Sequence, residues 1–197
     1  GFFRKPRVHL GLLEEYHEGI ICSTACVVGL IPSLLNNKQY DEAIKVAKYL
    51  KGIFKDDFYT EVMTHDMVNQ NTTNKNILGL AERLKIKSIL TVDSHYVDEE
   101  DFEVHKALVS LKNDKFEGYK GAYLSSAEDA FKNWNKNHKN LGDCREYMKN
   151  TVELADKCNI DLDFGNLMPS LDLKDSSKVL YNIVVKKLKS LNKYEKR

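Results

Sequence analysis

An aspartate and a histidine two residues apart, Asp93-Ser94-His95, close the run Ile86-Lys87-Ser88-Ile89-Leu90-Thr91-Val92. That run reads as a buried β-strand following the amphipathic stretch Asn76 to Leu84. A carboxylate and an imidazole at the C-terminal end of a parallel strand point out of the mouth where α/β folds keep their chemistry. They suit a metal ion or an acid/base pair. Cys26 also sits just beyond a strand-like run, and Glu61 and His65 flank the end of another. Three parallel strand ends would bring Cys26, Glu61 or His65, and Asp93 with His95 to one rim. Zinc and manganese tolerate this mixture of S, N and O donors. A hydrolase uses such a cluster to lower the pKa of bound water and polarise a phosphoryl oxygen.

Each of these residues also has a plainer reading. Asp93 could be a helix N-cap followed by an exposed loop histidine. Cys26 could be a small buried thiol, and His65 a loop residue. His105 lies on a helix among Phe102, Ala107 and Leu108 and suits a partly exposed structural role, while His9, His17 and His138 have no supporting neighbours. Lys186, Lys187 and Lys189 read as a solvated helix face.

The elements that would position the rim alternate. Glu18 to Ala25 holds a short apolar strand, Ile20–Ala25, and Val27 to Leu35 can start a helix that Asn36-Asn37 stops. From Tyr40 to Phe54, Ala43, Ile44, Ala47, Leu50 and Phe54 recur at helical spacing. A strand over Phe58–Met63, a helix over Asn71 to Leu84 and a strand over Ser88–Val92 follow. Strand-helix-strand-helix-strand order implies parallel strands joined by right-handed crossovers. Downstream, Glu99 to Leu111 is helical, Gly121 to Leu124 is strand-like, and Ser125 to Glu128 has the spacing of a capping box. In the helix Asp143 to Cys158, the residues Tyr147, Thr151, Leu154, Ala155 and Cys158 share one face. Asn159 to Asp175 is polar, with Gly165 and Pro169, and leads to a lone basic helix, Ser176 to Leu191. The expected domains are residues 1–165 and a linker with basic helix, 166–197.

Composition excludes some classes. The 197 residues are 42% hydrophobic, enough for one domain with a real core and room for a short appendage. Thirty basic residues against 29 acidic ones give a net charge of +1, so no global field argues for nucleic acid or membrane. The four cysteines, at 22, 26, 144 and 158, show no CxxC spacing and read as reduced thiols of a cytoplasmic protein. No apolar stretch is long enough for a bilayer.

The motifs resemble those of one family. Gly1-Phe2-Phe3-Arg4-Lys5-Pro6-Arg7-Val8, Leu12-Leu13-Glu14 and His17-Glu18-Gly19-Ile20-Ile21 come first. Ser23-Thr24-Ala25-Cys26-Val27-Val28-Gly29-Leu30-Ile31-Pro32, Asp57-Phe58-Tyr59-Thr60-Glu61-Val62 and Thr91-Val92-Asp93-Ser94-His95-Tyr96 follow. Phe116-Glu117-Gly118, Ala122-Tyr123-Leu124-Ser125-Ser126 and Asn150 to Asn159 complete the series. In this order and spacing they resemble the second half of the PHP (polymerase and histidinol phosphatase) domain of the C-family replicative polymerases, the bacterial DNA polymerase III alpha subunits. Ala25 replaces the family's Gly before the cysteine, and Leu30 its Glu two residues before the proline.

The resemblance implies a partial distorted β/α barrel, PHP-like, with a helical C-terminal extension and a rim that binds a cluster of divalent metal ions, zinc or manganese. By the same carry-over Cys26, Asp93 and His95 are the metal ligands present, and the paired-His motif lies upstream of Gly1. Leu167-Met168-Pro169 to Leu171 is similar to the family's exit toward the palm, whose catalytic carboxylates, and the magnesium they use, would lie beyond Arg197. Polymerisation chemistry is therefore not expected in this chain. The expected partners are the upstream PHP half, the palm, replisome subunits, and DNA bound through the full protein; no membrane partner is expected. The expected function is that of a replicative-polymerase fragment, with a PHP site that hydrolyses mispaired 3′ ends as a 3′-5′ exonuclease. A stand-alone PHP phosphoesterase and a structural PHP module with a degenerate metal site are the alternatives. A half barrel would leave an unpaired edge on its sheet.

Overall fold

Phe58–Met63, a run of aromatic, β-branched and apolar residues broken only by Glu61, forms the central strand of a three-stranded parallel sheet. The computed structural model describes residues 2–3, 5–111, 118–162, 165 and 175–191. Gly1 and Arg4 of the opening motif, Phe116-Glu117, and the exit motif Leu167 to Leu171 lie outside them.

Two compact units divide the chain, Gly1–Cys158 and Asn159–Arg197. The first opens with a small antiparallel pair, β1 (Phe2–Phe3) and β2 (Lys5–Pro6). There follow α1 (Leu10–Glu15), β3 (Cys22–Ser23), α2 (Leu30–Asn36), α3 (Tyr40–Phe54), β4 (Phe58–Met63), α4 (Gln70–Leu84) and β5 (Ser88–Thr91). Then come α5 (Phe102–Ser110), α6 (Ala127–Asn137) and α7 (Arg145–Lys157). The second unit holds α8 (Ser176–Ser190), whose first turn is capped by Asp175, its carboxylate accepting from the Lys178 N–H at 3.0 Å. The 165/166 boundary expected from sequence falls in this unit, where only Gly165 is described among its immediate neighbours.

The expected parallel order holds. β3 pairs with β4 through Cys22–Phe58 and Ser23–Tyr59, and β4 with β5 from Thr60–Ser88 to Met63–Thr91. One face of the sheet, carrying Phe58, Val62 and Leu90, joins the main core with Ala43, Ala47 and Phe54 of α3, Ile77 and Leu80 of α4, and Trp134 of α6. On the opposite face Tyr59, Met63 and Ile89 are buried as well. Burial on both faces is why β4 reads as a nearly continuous apolar run.

The helices explain themselves locally. In α3 the buried residues fall at 43, 47, 50 and 54, and Asp41 and Glu42 in its first turn complement the helix dipole. α4 ends on Lys85 in the left-handed conformation, and the Lys51 ammonium donates to the exposed carbonyls of Leu84 and Lys85.

Several boundaries differ from expectation. The first strand is only Cys22–Ser23, because Gly19 (φ 72°) turns the chain just before it and Ala25 (φ 59°) just after. The helix expected from Val27 starts at Leu30, since residues 26–29 close a turn in which the Gly29 N–H donates to the Cys26 carbonyl at 2.8 Å. That turn needs glycine: a Cβ on Gly29 would stand 2.4 Å from the Thr24 carbonyl oxygen. The Gly121–Leu124 piece is no strand but a single parallel bridge, Tyr123 to Tyr96. The cap of α6 is Ser126, not Ser125; its hydroxyl accepts from the Asp129 N–H at 3.1 Å and donates to the Asp129 carboxylate at 2.6 Å. On α7 Ala155 and Cys158 are exposed, and Asn150, unmarked by the apolar pattern, is buried instead.

Asn150 and Thr151 carry the most consequential contacts of α7. The Asn150 amide donates to the Ser88 carbonyl at 2.8 Å. The Thr151 hydroxyl accepts from the Leu90 N–H at 3.0 Å and donates to the Leu90 carbonyl at 2.8 Å. These are the backbone groups of β5 that face away from β4, so two side chains occupy positions where a further strand would bond. Thr151→Val keeps the shape but leaves the Leu90 groups unpaired. We expect it to destabilise the first unit by about 1–3 kcal/mol, read as a lower urea midpoint at unchanged m-value.

Candidate metal-binding rim

The site is framed by a carboxylate that does no rim chemistry. Glu61 lies at the centre of β4, and its two oxygens accept from the Ser23 hydroxyl of β3 at 2.6 Å and the Thr91 hydroxyl of β5 at 2.8 Å. The Glu61 N–H donates to the Thr24 hydroxyl at 2.9 Å. Glu61 thus ties all three strands together, and its carboxylate is committed within the sheet.

Above this clamp, β5 delivers Asp93 and His95. Asp93 has a left-handed backbone (φ 45°) that ends the strand sharply, and no helix begins there; the next capping aspartate is Asp98. The N-cap reading of Asp93 therefore does not hold. The turn aims the carboxylate at its neighbour, with Asp93 Oδ2 3.6 Å from His95 Nε2. Segment 119–124 fixes this loop. The His95 N–H donates to the Ala122 carbonyl at 2.7 Å, the Leu124 N–H donates to the Tyr96 carbonyl at 3.1 Å, and the Tyr96 hydroxyl donates to the Tyr119 carbonyl at 3.0 Å. The His95 ring stacks on Tyr119 with centroids 4.3 Å apart. His105, expected to be a structural helix residue, packs its half-buried ring 5.8 Å from His95 and 5.2 Å from Tyr96.

The end of β4 delivers His65, 3% exposed, and neither of its ring nitrogens has a hydrogen-bond partner. Burial pushes its pKa below the ordinary imidazole value, opposed by the Asp93 charge. Beneath it lies His138, fully buried against Trp134 and without any signal in the sequence. His138 Nε2–H donates to the His65 carbonyl at 2.9 Å, and Nδ1 accepts from the Asn71 amide at 3.1 Å. The neutral ring is fully satisfied in this tautomer, and burial lowers its pKa too.

The candidate ligands do not all meet. Asp93 and His95 stand together. Among the described residues, however, no group of three or more His, Cys, Asp or Glu side chains is arranged to hold a metal ion, so Cys26 does not complete a set with them. Strand register accounts for this. The β3 ladder ends at Ser23 opposite Tyr59, four residues short of the Met63–Thr91 pair, a stagger of about 13 Å at the usual rise per residue. Residues 26–29 then close a turn, the Gly29 N–H donating to the Cys26 carbonyl at 2.8 Å. The pair that does meet fits a divalent cation: two ligands on one tetrahedral ion stand about 3.4 Å apart, close to the observed separation.

Comparison with known proteins finds similarity to one group. Residues 1–65 match the PHP domain family. The chain is similar to the DNA polymerase III subunit alpha of Campylobacter jejuni, 33% identical over 180 residues, which cover 86% of this chain and 15% of that protein. The corresponding protein of Helicobacter pylori is 32% identical over 83% of this chain and 14% of its own length. That of Saccharopolyspora erythraea is 37% identical over 69% and 12%. The chain thus spans roughly a seventh of the relatives it matches.

Because His138 is held neutral with its pKa below that of the unfolded chain, the unfolded state takes up protons first as the pH falls. The stability this group confers is fully present above the ordinary imidazole pKa of about 6.5 and is lost progressively below it. Urea midpoints should therefore fall between pH 7 and pH 5.5, and His138→Gln should remove part of that slope.

Proposed function

We propose, from the chain's homology to a region of DNA polymerase III alpha subunits and its PHP-domain match, that it supplies part of a PHP-type metal-binding phosphoesterase site to a larger replicative polymerase. The observation that carries this reading is the Asp93–His95 pair at the end of a parallel strand. In this reading the three parallel strands are part of a distorted β/α barrel. Asp93 and His95 are metal ligands, Cys26 is the third ligand expected from the family pattern, and further donors come from the upstream part of the PHP domain. A bound zinc or manganese ion would polarise a phosphoryl oxygen and lower the pKa of its water.

The chain's own residues do the rest. The Asp93 carboxylate and His95 Nε2 present two donors at ligand spacing. The bond from the His95 N–H to the Ala122 carbonyl and the Tyr119 stack hold the imidazole in place. Hydrolysis of mispaired 3′ ends is the reaction such a rim would serve. DNA, replisome subunits, the palm with its magnesium and a cytoplasmic location belong to the same proposal. Among the described residues no helix is long and apolar enough to cross a membrane.

A structural PHP module is the second reading, favoured by the lack of three converged donors among the described residues. Metal titration separates the two. In a polypeptide that includes the upstream part of the PHP domain, Asp93→Asn and His95→Ala should each weaken zinc or manganese affinity by on the order of 10–100-fold, measured by chelator competition. Affinity indifferent to both substitutions would leave the structural reading.

A further inference from the structure

The end of the sheet opposite the rim collects lysines. Lys51 on α3, Lys55 just after it, Lys85 and Lys87 between α4 and β5, and Lys157 at the end of α7 line one pocket of about 410 Å³. Its apolar wall, at the entry to β4 and β5, is made by the buried Phe58, Tyr59 and Ile86. The volume is that of a small-molecule site. Three of the ammonium groups are held in place. Lys51 donates to the Leu84 and Lys85 carbonyls, Lys87 to Glu153 at 2.8 Å, and Lys157 to Asp57 at 2.7 Å and to the Tyr59 hydroxyl at 2.9 Å. The ammonium groups of Lys55 and Lys85 have no hydrogen bond or ion pair among the described residues. With Asp56, Asp57 and Glu153 set against the five lysines, two positive charges are left over, in a chain whose total is +1.

The two unengaged lysines also stand where the backbone favours another residue. Lys55 (φ 51°) and Lys85 (φ 53°) each follow a helix and lead toward a strand, α3 to β4 and α4 to β5, with a positive φ that glycine takes at no steric cost. The same device occurs twice, and each time it sets a free ammonium at this pocket. α3, α4 and α7 all end here, and cations complement helix C-termini. Lys51 already serves the open carbonyls at the end of α4, however, and a dipole role requires neither a cavity nor a lysine in a glycine conformation.

An ammonium is a compact point charge suited to phosphate oxygens. Phe58 and Tyr59 are buried and offer no open ring on which a base could stack, which favours a short anion over a strand of nucleic acid. We infer that this pocket binds a short polyphosphate, a run of two or three phosphates either free or carried by a nucleotide, and that Lys55 and Lys85 are the residues that grip it. Nothing in this depends on a metal at Asp93 and His95.

The test is lysine acetylation read by mass spectrometry, on the intact polypeptide, in a metal-chelated buffer of constant ionic strength. Inorganic triphosphate should protect Lys55 and Lys85 and leave Lys45 and Lys132, exposed lysines paired within their own helices, unchanged. A nucleoside triphosphate that protects at lower concentration assigns the ligand to a nucleotide; equal midpoints assign it to the phosphate chain alone. Lys55→Gly should raise the protection midpoint at Lys85 by on the order of tenfold, and Lys85→Gly that at Lys55, because each removes one charge-assisted hydrogen bond. Without ligand both variants should melt at or above the parent temperature, since glycine relieves the positive φ. Binding and stability then move in opposite directions, which a purely structural lysine does not produce. Absence of protection, or protection shared equally by Lys45 and Lys132, overturns the inference. So does protection by single-stranded DNA but by neither triphosphate. Variants that melt lower while the midpoints stay put would leave these lysines as helix-end cations and overturn it as well.

Discussion

One carboxylate holds this molecule's register. Glu61 accepts from Ser23 on one side and Thr91 on the other, and its N–H reaches Thr24, so three strands from separate parts of the chain are fastened at one level. Parallel strands have no hairpin turn to fix their alignment, and a slip of one residue exchanges the faces of the whole strand. Everything at the rim inherits its height from this clamp: Asp93 follows Thr91 by two residues, and His65 follows Glu61 by four. A charged group bonded to hydroxyls on both sides is also stronger than neutral ladder bonds. The sheet is fastened by these bonds just below the place where the chemistry would occur.

Much of this was legible from pattern alone. The periodicity of Tyr40–Phe54 and the apolar runs at Phe58 and Ser88 located α3, β4 and β5 within a residue or so, because tertiary burial and local pattern agree there. Where backbone conformation decides, pattern fails. The first strand and the second helix are cut short by residues with positive φ or by a turn that tolerates no side chain, and neither effect has a hydrophobic period. The polar contacts were the least legible. Glu61 looked like a rim acid and His138 like an unsupported histidine, and Asn150 carried no apolar signal. Each is set by partners between 30 and 73 positions away in the chain.

The same limits shape the rim. Residue types and spacing identify Asp93 and His95, because two residues at one strand end are local and share a direction. Whether a third donor meets them depends on the relative heights of different strands, which spacing within one strand does not carry. The β3 ladder that leads to Cys26 stops at Ser23, opposite Tyr59, while His65 follows Met63 at the level at which Asp93 follows Thr91. The distinction becomes visible only when the ladder is counted residue by residue.

The two side chains of α7 that bond to Ser88 and Leu90 give the sheet a polarity of growth. Lateral accretion on that flank would have to displace an amide and a hydroxyl already bonded to the backbone, whereas the flank beside Cys22–Ser23 meets no such competitor among the described bonds. The helix thus acts as a terminator of the sheet on the β5 side, while among the described bonds the β3 side keeps its backbone free for a further strand.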